Sequence, residues 1–321
     1  MKNKKTNKNS LWTAAAVLGL LLCSLLLMGG CSATEDTKQP ALTETGPTAA
    51  PAPTEIPINP DGTTIKDRFV PPDGFTRIEA EAGSFGEYLQ NFELKPYGEN
   101  AYYYDDTVNE QGGTVGVFNQ DVTRWQQCAD SIMRLHAEYL FEKGEYDKIS
   151  YNFTAGFQCD FANWRQGKRV KVSGSKCAWV QKADPSTTKD TLESYLDFVY
   201  QYANTESLQN QLIQVSPDDI KIGDSFIITS YQMEAELGHA VFVADMAQNE
   251  AGEKIYLIFE GTTPASQICL AKSNDSPYGY WLGLKDDGTL EITKTVYDTE
   301  TESYKEKTWV CPGKYIRRFA E

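Results

Sequence analysis

Two residues in this chain have the chemistry of a nucleophile and its base. Cys128 stands in QQCADSIMRLHAEYL, a stretch with helical patterning. His239 opens GHAVFVADM, where five of the six residues after the histidine are apolar. A thiol must be activated before it attacks an acyl carbon. A helix N-terminus and a nearby imidazole both favour the thiolate, and the imidazolium then protonates the leaving group. The histidine in turn needs a third group to set its tautomer. The strand pattern KIYLIFE follows through QNEAGE, and a hairpin turning near Glu250 brings His239 against residues 260–262. Glu260 falls there. Asp245 alternates onto the face of His239 and is a second candidate. Gln126 and Gln127, just before the cysteine, carry amide donors for a developing oxyanion. Of the two, Gln127 adjoins the nucleophile.

The same residues have a plainer reading. A cysteine on an apolar helix is commonly a small packing residue, and a histidine at a strand mouth is commonly a hydrogen-bonded one. The chain would then be a non-catalytic module binding peptide or glycan; AYYYDD (residues 101–106) has the composition of an aromatic sugar platform, but three tyrosines in a strand are more often half-buried. One feature weakens the catalytic reading. Thr123 and Gln126 form a cap pattern, which places Cys128 in the second turn of its helix, where the N-terminal field fades. His136, the other histidine, lies on the stripe of Trp125, Ala129, Ile132 and Tyr139 and reads as packing.

The elements that must position these groups follow from periodicity. SFGEYLQNF predicts a short helix capped by Ser84, and residues 188–203 predict a second amphipathic helix. KISYNF alternates as a strand, and KRVKVSGSKCAWVQK reads as a hairpin turning at Gly174-Ser175. The last third is strand-rich: DSFIITS, GHAVFVADM, KIYLIFE, SQICLAK and TLEITKTVYD. Helices first and strands later predict an α+β fold, with helices packed on a mostly antiparallel sheet. Residues 67–321 are expected to form one domain with 40% apolar and 12% aromatic residues in the whole chain to draw a core from.

The front of the chain addresses the compartment. MKNKKTNKNS is basic, LWTAAAVLGLLLCSLLL is apolar, and small residues precede Cys31. That is the pattern of a secretory signal over residues 1–30. Its Gly29-Gly30-Cys31 ending resembles a bacterial lipobox, which implies lipidation at Cys31 and attachment to a membrane outside the cytoplasm. Residues 31–66, rich in Thr, Pro, Ala and Glu, have no apolar periodicity and read as a disordered tether reaching about 30–35 Å. Net charge is −15, or −19 once Lys2, Lys4, Lys5 and Lys8 leave with the signal. That argues against nucleic acid and anionic lipid as partners. Five cysteines remain, an odd number. Cys159 with Cys177, and Cys269 with Cys311, are candidate disulfides that would leave Cys128 free. No Cys-x-x-Cys spacing occurs, so neither a zinc site nor another cofactor is expected.

Two resemblances add to this. A cysteine on a helix followed by a histidine opening a strand resembles papain-like cysteine peptidases, including the NlpC and CHAP types that cut cell-wall peptides. SPDDIKIGDSFIITS followed by GHAVFVADM is similar to the NlpC-type run around its histidine. The resemblance implies a papain-like cysteine hydrolase or amidase acting on cell-wall peptide. Several other segments together resemble the bacterial lipoprotein family of domain of unknown function 4846: FTRI, LKPYG, QQCADSIMRLHAEYL, FTAGF, WRQGKRVKV, IGDSFI and GHAVFVADMA, spread over residues 70–320. This second resemblance implies no activity. It implies that Cys128 and His239 belong to the family pattern, that Cys159 and Cys177 are particular to this chain, and that Gln is usual where Glu260 stands.

Overall fold

The structure is a computed structural model and describes residues 57–298 and 301–320. The expectations for the signal, for Cys31 and for most of the tether fall outside those residues. The packed chain begins before residue 67. Ile65 is fully buried, and the Asn59 N–H donates to the Arg68 carbonyl at 2.9 Å.

Local capping chemistry starts the helices. Helix α1 (Phe85–Gln90) follows Ser84, whose Oγ accepts from the Glu87 N–H at 3.2 Å. Helix α2 (Cys128–Glu142) is the longest among the described residues. Helix α3 (Lys189–Val199) follows Thr188, whose Oγ1 accepts from the Thr191 N–H. Helix α4 (Thr205–Gln211) was not legible from periodicity. Asn204 caps it, accepting from the Glu206 and Ser207 N–H groups at 2.9 and 3.0 Å. The expected hairpin forms from Lys168–Ser173 and Lys176–Gln181, with Gly174 in the left-handed conformation its turn requires.

The main sheet contains β1 (Phe75–Arg77), β2 (Ile213–Gln214), β3 (Ser225–Ile228), β4 (His239–Asn249), β5 (Lys254–Glu260), β6 (Cys269–Leu270) and β7 (Leu282–Gly283). A separate long hairpin, β8 (Leu290–Asp298) and β9 (Ser303–Cys311), precedes the last sheet strand, β10 (Ile316–Arg318). The eight-stranded order is β6-β5-β4-β3-β10-β2, with β1 also on β4 and β7 on β5. Its pairings are antiparallel. The fold is therefore α+β with a mostly antiparallel sheet.

The two faces of β4 and β5 supply two cores. Ala240, Phe242, Ala244, Leu257 and Phe259 pack with α2 and α3, while Val241, Val243, Tyr256 and Ile258 pack with Leu290, Ile292 and Cys311 of the long hairpin. Strands covered on both faces are apolar along their whole length, which is why β4 and β5 read as continuous apolar runs.

Two sequence expectations are corrected here. Asp245 is not on the face of His239, because the β4–β5 register shifts between Val243 and Asp245 and reverses the alternation. It is fully buried and bonded instead to Arg77 Nε at 2.8 Å and Gln90 Nε2 at 2.6 Å. No disulfide joins Cys159 to Cys177 or Cys269 to Cys311, and all five described cysteines are free. The tyrosines of AYYYDD form short bridges, Tyr102 with Val108 and Tyr103 with Ser266, and the Tyr102 ring carries the Lys95 ammonium at 4.6 Å. His136 packs as expected. Its ring stacks on Phe319 at 3.6 Å, and Nδ1 lies 3.2 Å from the Tyr151 hydroxyl.

Asp245 gives the fold a sharp test. Arg77→Met removes the cation from a carboxylate with no access to water. Destabilisation of about 3–5 kcal/mol is expected, measured by urea unfolding. A change under about 1 kcal/mol would mean the pair is not needed to hold β1 on β4.

Candidate active site

Cys128 is the first residue of α2, and Gln127 is its N-cap in extended conformation. The start expected at Thr123 and Gln126 is not used. The chain only turns there, with the Gln126 N–H on the Thr123 carbonyl at 3.1 Å. Asp130 explains the later start: its Oδ2 accepts from the Gln127 N–H at 2.9 Å and so caps the helix from within its first turn. Cys128 thereby sits where the helix field is strongest, and its own N–H is one of the groups with no acceptor inside the helix.

His239 is the first residue of β4 and pairs with Ile228 of β3. Gly238 before it has no room for a side chain. A Cβ there would lie 2.4 Å from Thr205 Oγ1 and 2.5 Å from the Ile228 carbonyl oxygen. The register of Phe242 opposite Phe259 sets Glu260 across from Val241, diagonal to His239 on the same face. His239 Nε2 and Glu260 Oε2 are 2.8 Å apart. The Cys128 side chain lies near enough to the ring to raise its pKa. With Nε2 held by Glu260, Nδ1 is the nitrogen left to the thiol.

Glu260 has a further partner that sequence reasoning missed. Lys294, on β8, bonds its other oxygen, Oε1. The carboxyl is almost wholly buried. Burial works against its charge, but the Lys294 ammonium and the His239 hydrogen bond overcome this and pull it down to about 2. Burial likewise opposes a charged imidazole, yet Cys128 and Glu260 lift His239 to about 10. The result is a buried chain of alternating charge with the thiol at one end. Cys269, opposite Glu260 in the β5–β6 ladder, and Cys311 are both pushed up to about 12, by burial and then by the Glu260 charge.

The two glutamines separate in the structure. Gln126 is buried, its Nε2 donating to Ser131 Oγ at 3.3 Å and its Oε1 accepting from Arg134 at 2.7 Å. Arg134 also donates to Glu138 at 3.0 Å. Gln126 thus braces the turn before Cys128, while Gln127 is exposed beside the thiol. Gly261 locks the helix to the strand end. A Cβ on it would lie 2.3 Å from Ser131 Oγ, and Ser131 bonds the Gln127 carbonyl through its N–H at 2.9 Å and its hydroxyl at 3.0 Å. The i,i+4 spacing of Arg134 and Glu138 on an apolar helix was a readable signal for the brace. Nothing in the sequence pointed to Lys294, which reaches Glu260 only through the fold-back of the long hairpin.

No three or more His, Cys, Asp or Glu side chains among the described residues are grouped to hold a metal ion. The Cys128 helix, the His239 strand and most of the long hairpin fall inside one family match, the domain of unknown function 4846, over residues 65–305. The chain belongs to that family. No curated protein and no solved structure matches it in the comparisons made. The family match therefore spans Cys128, His239, Glu260 and Lys294 together.

Two outcomes follow from this geometry. His239 stays charged in the fold up to about pH 10, against about 6.5 unfolded, so its contribution to stability is full below pH 6.5 and is lost as pH rises toward 10. Glu260 contributes fully above about 4.5 and loses its contribution as pH falls toward 2. The stability difference between the native chain and His239→Gln should be largest between those two unfolded values and decline on either side. A difference that is flat from pH 5 to pH 10 would show that the ring is not charged. Gly261→Ala should cost about 1–3 kcal/mol by overpacking and displace the helix start, read as a slower reaction of Cys128 with iodoacetamide. Native-like stability and rate would remove Gly261 as the lock.

Proposed function

We propose that this protein is a papain-like cysteine hydrolase or amidase, lipid-anchored through Cys31 outside the cytoplasm, and that its substrate is a cell-wall peptide. The observation that carries the chemistry is the His239 ring, held through Nε2 by Glu260 at 2.8 Å, with Cys128 at a helix N-terminus near enough to raise its pKa. A charged imidazole beside a thiol favours the thiolate. The sulfur attacks the amide carbon, and the carbonyl oxygen becomes an oxyanion facing the Cys128 N–H and the Gln127 amide. His239 gives its proton to the departing amine as the C–N bond breaks, leaving a thioester. Water then attacks the thioester carbon, His239 takes its proton, and the sulfur leaves as thiolate. Glu260 keeps the ring oriented throughout, and Lys294 keeps Glu260 in place. The compartment rests on the signal and lipobox patterns, and the substrate on the resemblance to NlpC-type sequences.

One observation favours a second reading, a binding module. Cys128 is only 6% exposed, and two grooves, of about 1160 and 940 Å³, do not include it in their linings.

The rate of alkylation separates the readings. Cys128 should react with iodoacetamide at pH 6 at least tenfold faster in the native chain than in His239→Ala, with the modified site located by peptide mass. Cys269 and Cys311 should stay unmodified. A slow reaction, equal in the two proteins, would leave Cys128 as a packing residue and favour the binding module.

A further inference from the structure

The groove of about 1160 Å³ runs between α1, α2 and α3. Its charge is not balanced by the fold. Arg134 is engaged with Glu138, and Lys143 lies 3.5 Å from Glu145. Six lining carboxylates, Glu87, Glu93, Asp121, Glu142, Glu193 and Asp197, form no ion pair among the described residues, against one such cation, Lys189. Glu142 shows the consequence. Burial and the neighbouring Glu138 charge raise its pKa, with Lys189 opposing them.

A second observation is independent of charge. Tyr200 is 7% exposed and lines the groove, yet its hydroxyl has no hydrogen-bond partner. Thr123 Oγ1 and Asp197 Oδ1, in the same lining, are also buried without partners. Of seven such atoms among the described residues, these three share one groove; all three can accept hydrogen bonds, and the two hydroxyls can also donate. Buried acceptors without donors are unfavourable. An ammonium supplies three donors and a positive charge and needs no acceptor in return. The aromatic wall suits the same group: Tyr139 already carries the Lys143 ammonium 5.0 Å from its ring centre.

We propose that this groove binds a linear polyvalent ammonium, as a free polyamine or as the lysine side chains of a peptide. The site is separate from Cys128 and His239 and stands whether or not they are catalytic. Six carboxylates without an ion pair suit several ammonium groups rather than one.

The test is calorimetric titration of the full chain with spermidine and, separately, with tetralysine, at low and high salt. Saturable one-site binding that weakens with salt is expected for at least one of them. The Glu142→Gln/Glu193→Gln variant should bind at least tenfold more weakly. Tyr200→Phe should bind severalfold more weakly with an unlowered melting temperature, since its hydroxyl makes no bond within the fold. Tighter spermidine would identify a polyamine site, and tighter tetralysine a peptide site. Binding that is equal in the native chain and the glutamine variant would be diffuse attraction to an acidic protein and would overturn the proposal, as would no binding of either probe.

Discussion

The buried carboxylate of Glu260 is the constraint around which the site is arranged. A charge removed from water is tolerated only when paired on its remaining lone pairs, and here two cations from different parts of the chain do so. His239 comes from the neighbouring strand of the main sheet and Lys294 from a hairpin more than thirty residues downstream. Meeting both demands fixes the end of β5, the mouth of β4 and the base of the long hairpin relative to one another. The imidazole plane follows from this, and the position offered to the thiol follows from the plane. Gly261, next in sequence, lets the same strand end press against the first turn of α2. One residue therefore orients the imidazole, and the next sets the Cys128 helix against the same strand end.

The electrostatics of the molecule are uneven in a way that net charge hides. The chain is strongly acidic, yet its candidate catalytic centre is built from a buried acid between two cations, next to the positive end of a helix. The flank of that same helix turns Glu138 and Glu142 toward a groove whose carboxylates outnumber its cations. Arg134 joins the two regions. It ties Glu138 on the groove side to Gln126, and Gln126 to Ser131 and the turn before Cys128. The brace of the Cys128 turn and the wall of the groove thus share side chains.

The elements that local chemistry controls were readable in advance. Ser84 and Thr188 start helices because their hydroxyls satisfy first-turn N–H groups, and Gly174 turns a hairpin because it adopts a positive φ without strain. The pairing of His239 with Glu260 was also legible, since two apolar strands joined by a short connection have few registers. Errors arose where a distant or buried partner outweighed a local preference. The cap pattern at Thr123 lost to the Asp130 carboxylate, which starts the helix at Cys128. The alternation that aligned Asp245 with His239 lost to an irregularity in the β4–β5 ladder, which turned Asp245 toward Arg77 and Gln90.

By itself, the sequence determined the residue types of a thiol, an imidazole and a carboxylate, and the strand register that brings the last two together. Those are consequences of short-range geometry: side-chain period, turn length and hydrogen-bonding capacity. The tertiary structure alone decided that the thiol lies near the imidazole, that Lys294 holds the carboxylate, and that Gln126 turns inward while Gln127 stays outside. It also decided that an acidic groove with unpartnered hydroxyls opens between three helices. Each of these joins segments far apart in the chain, where burial and pairing of charge in three dimensions select a partner that no local pattern encodes.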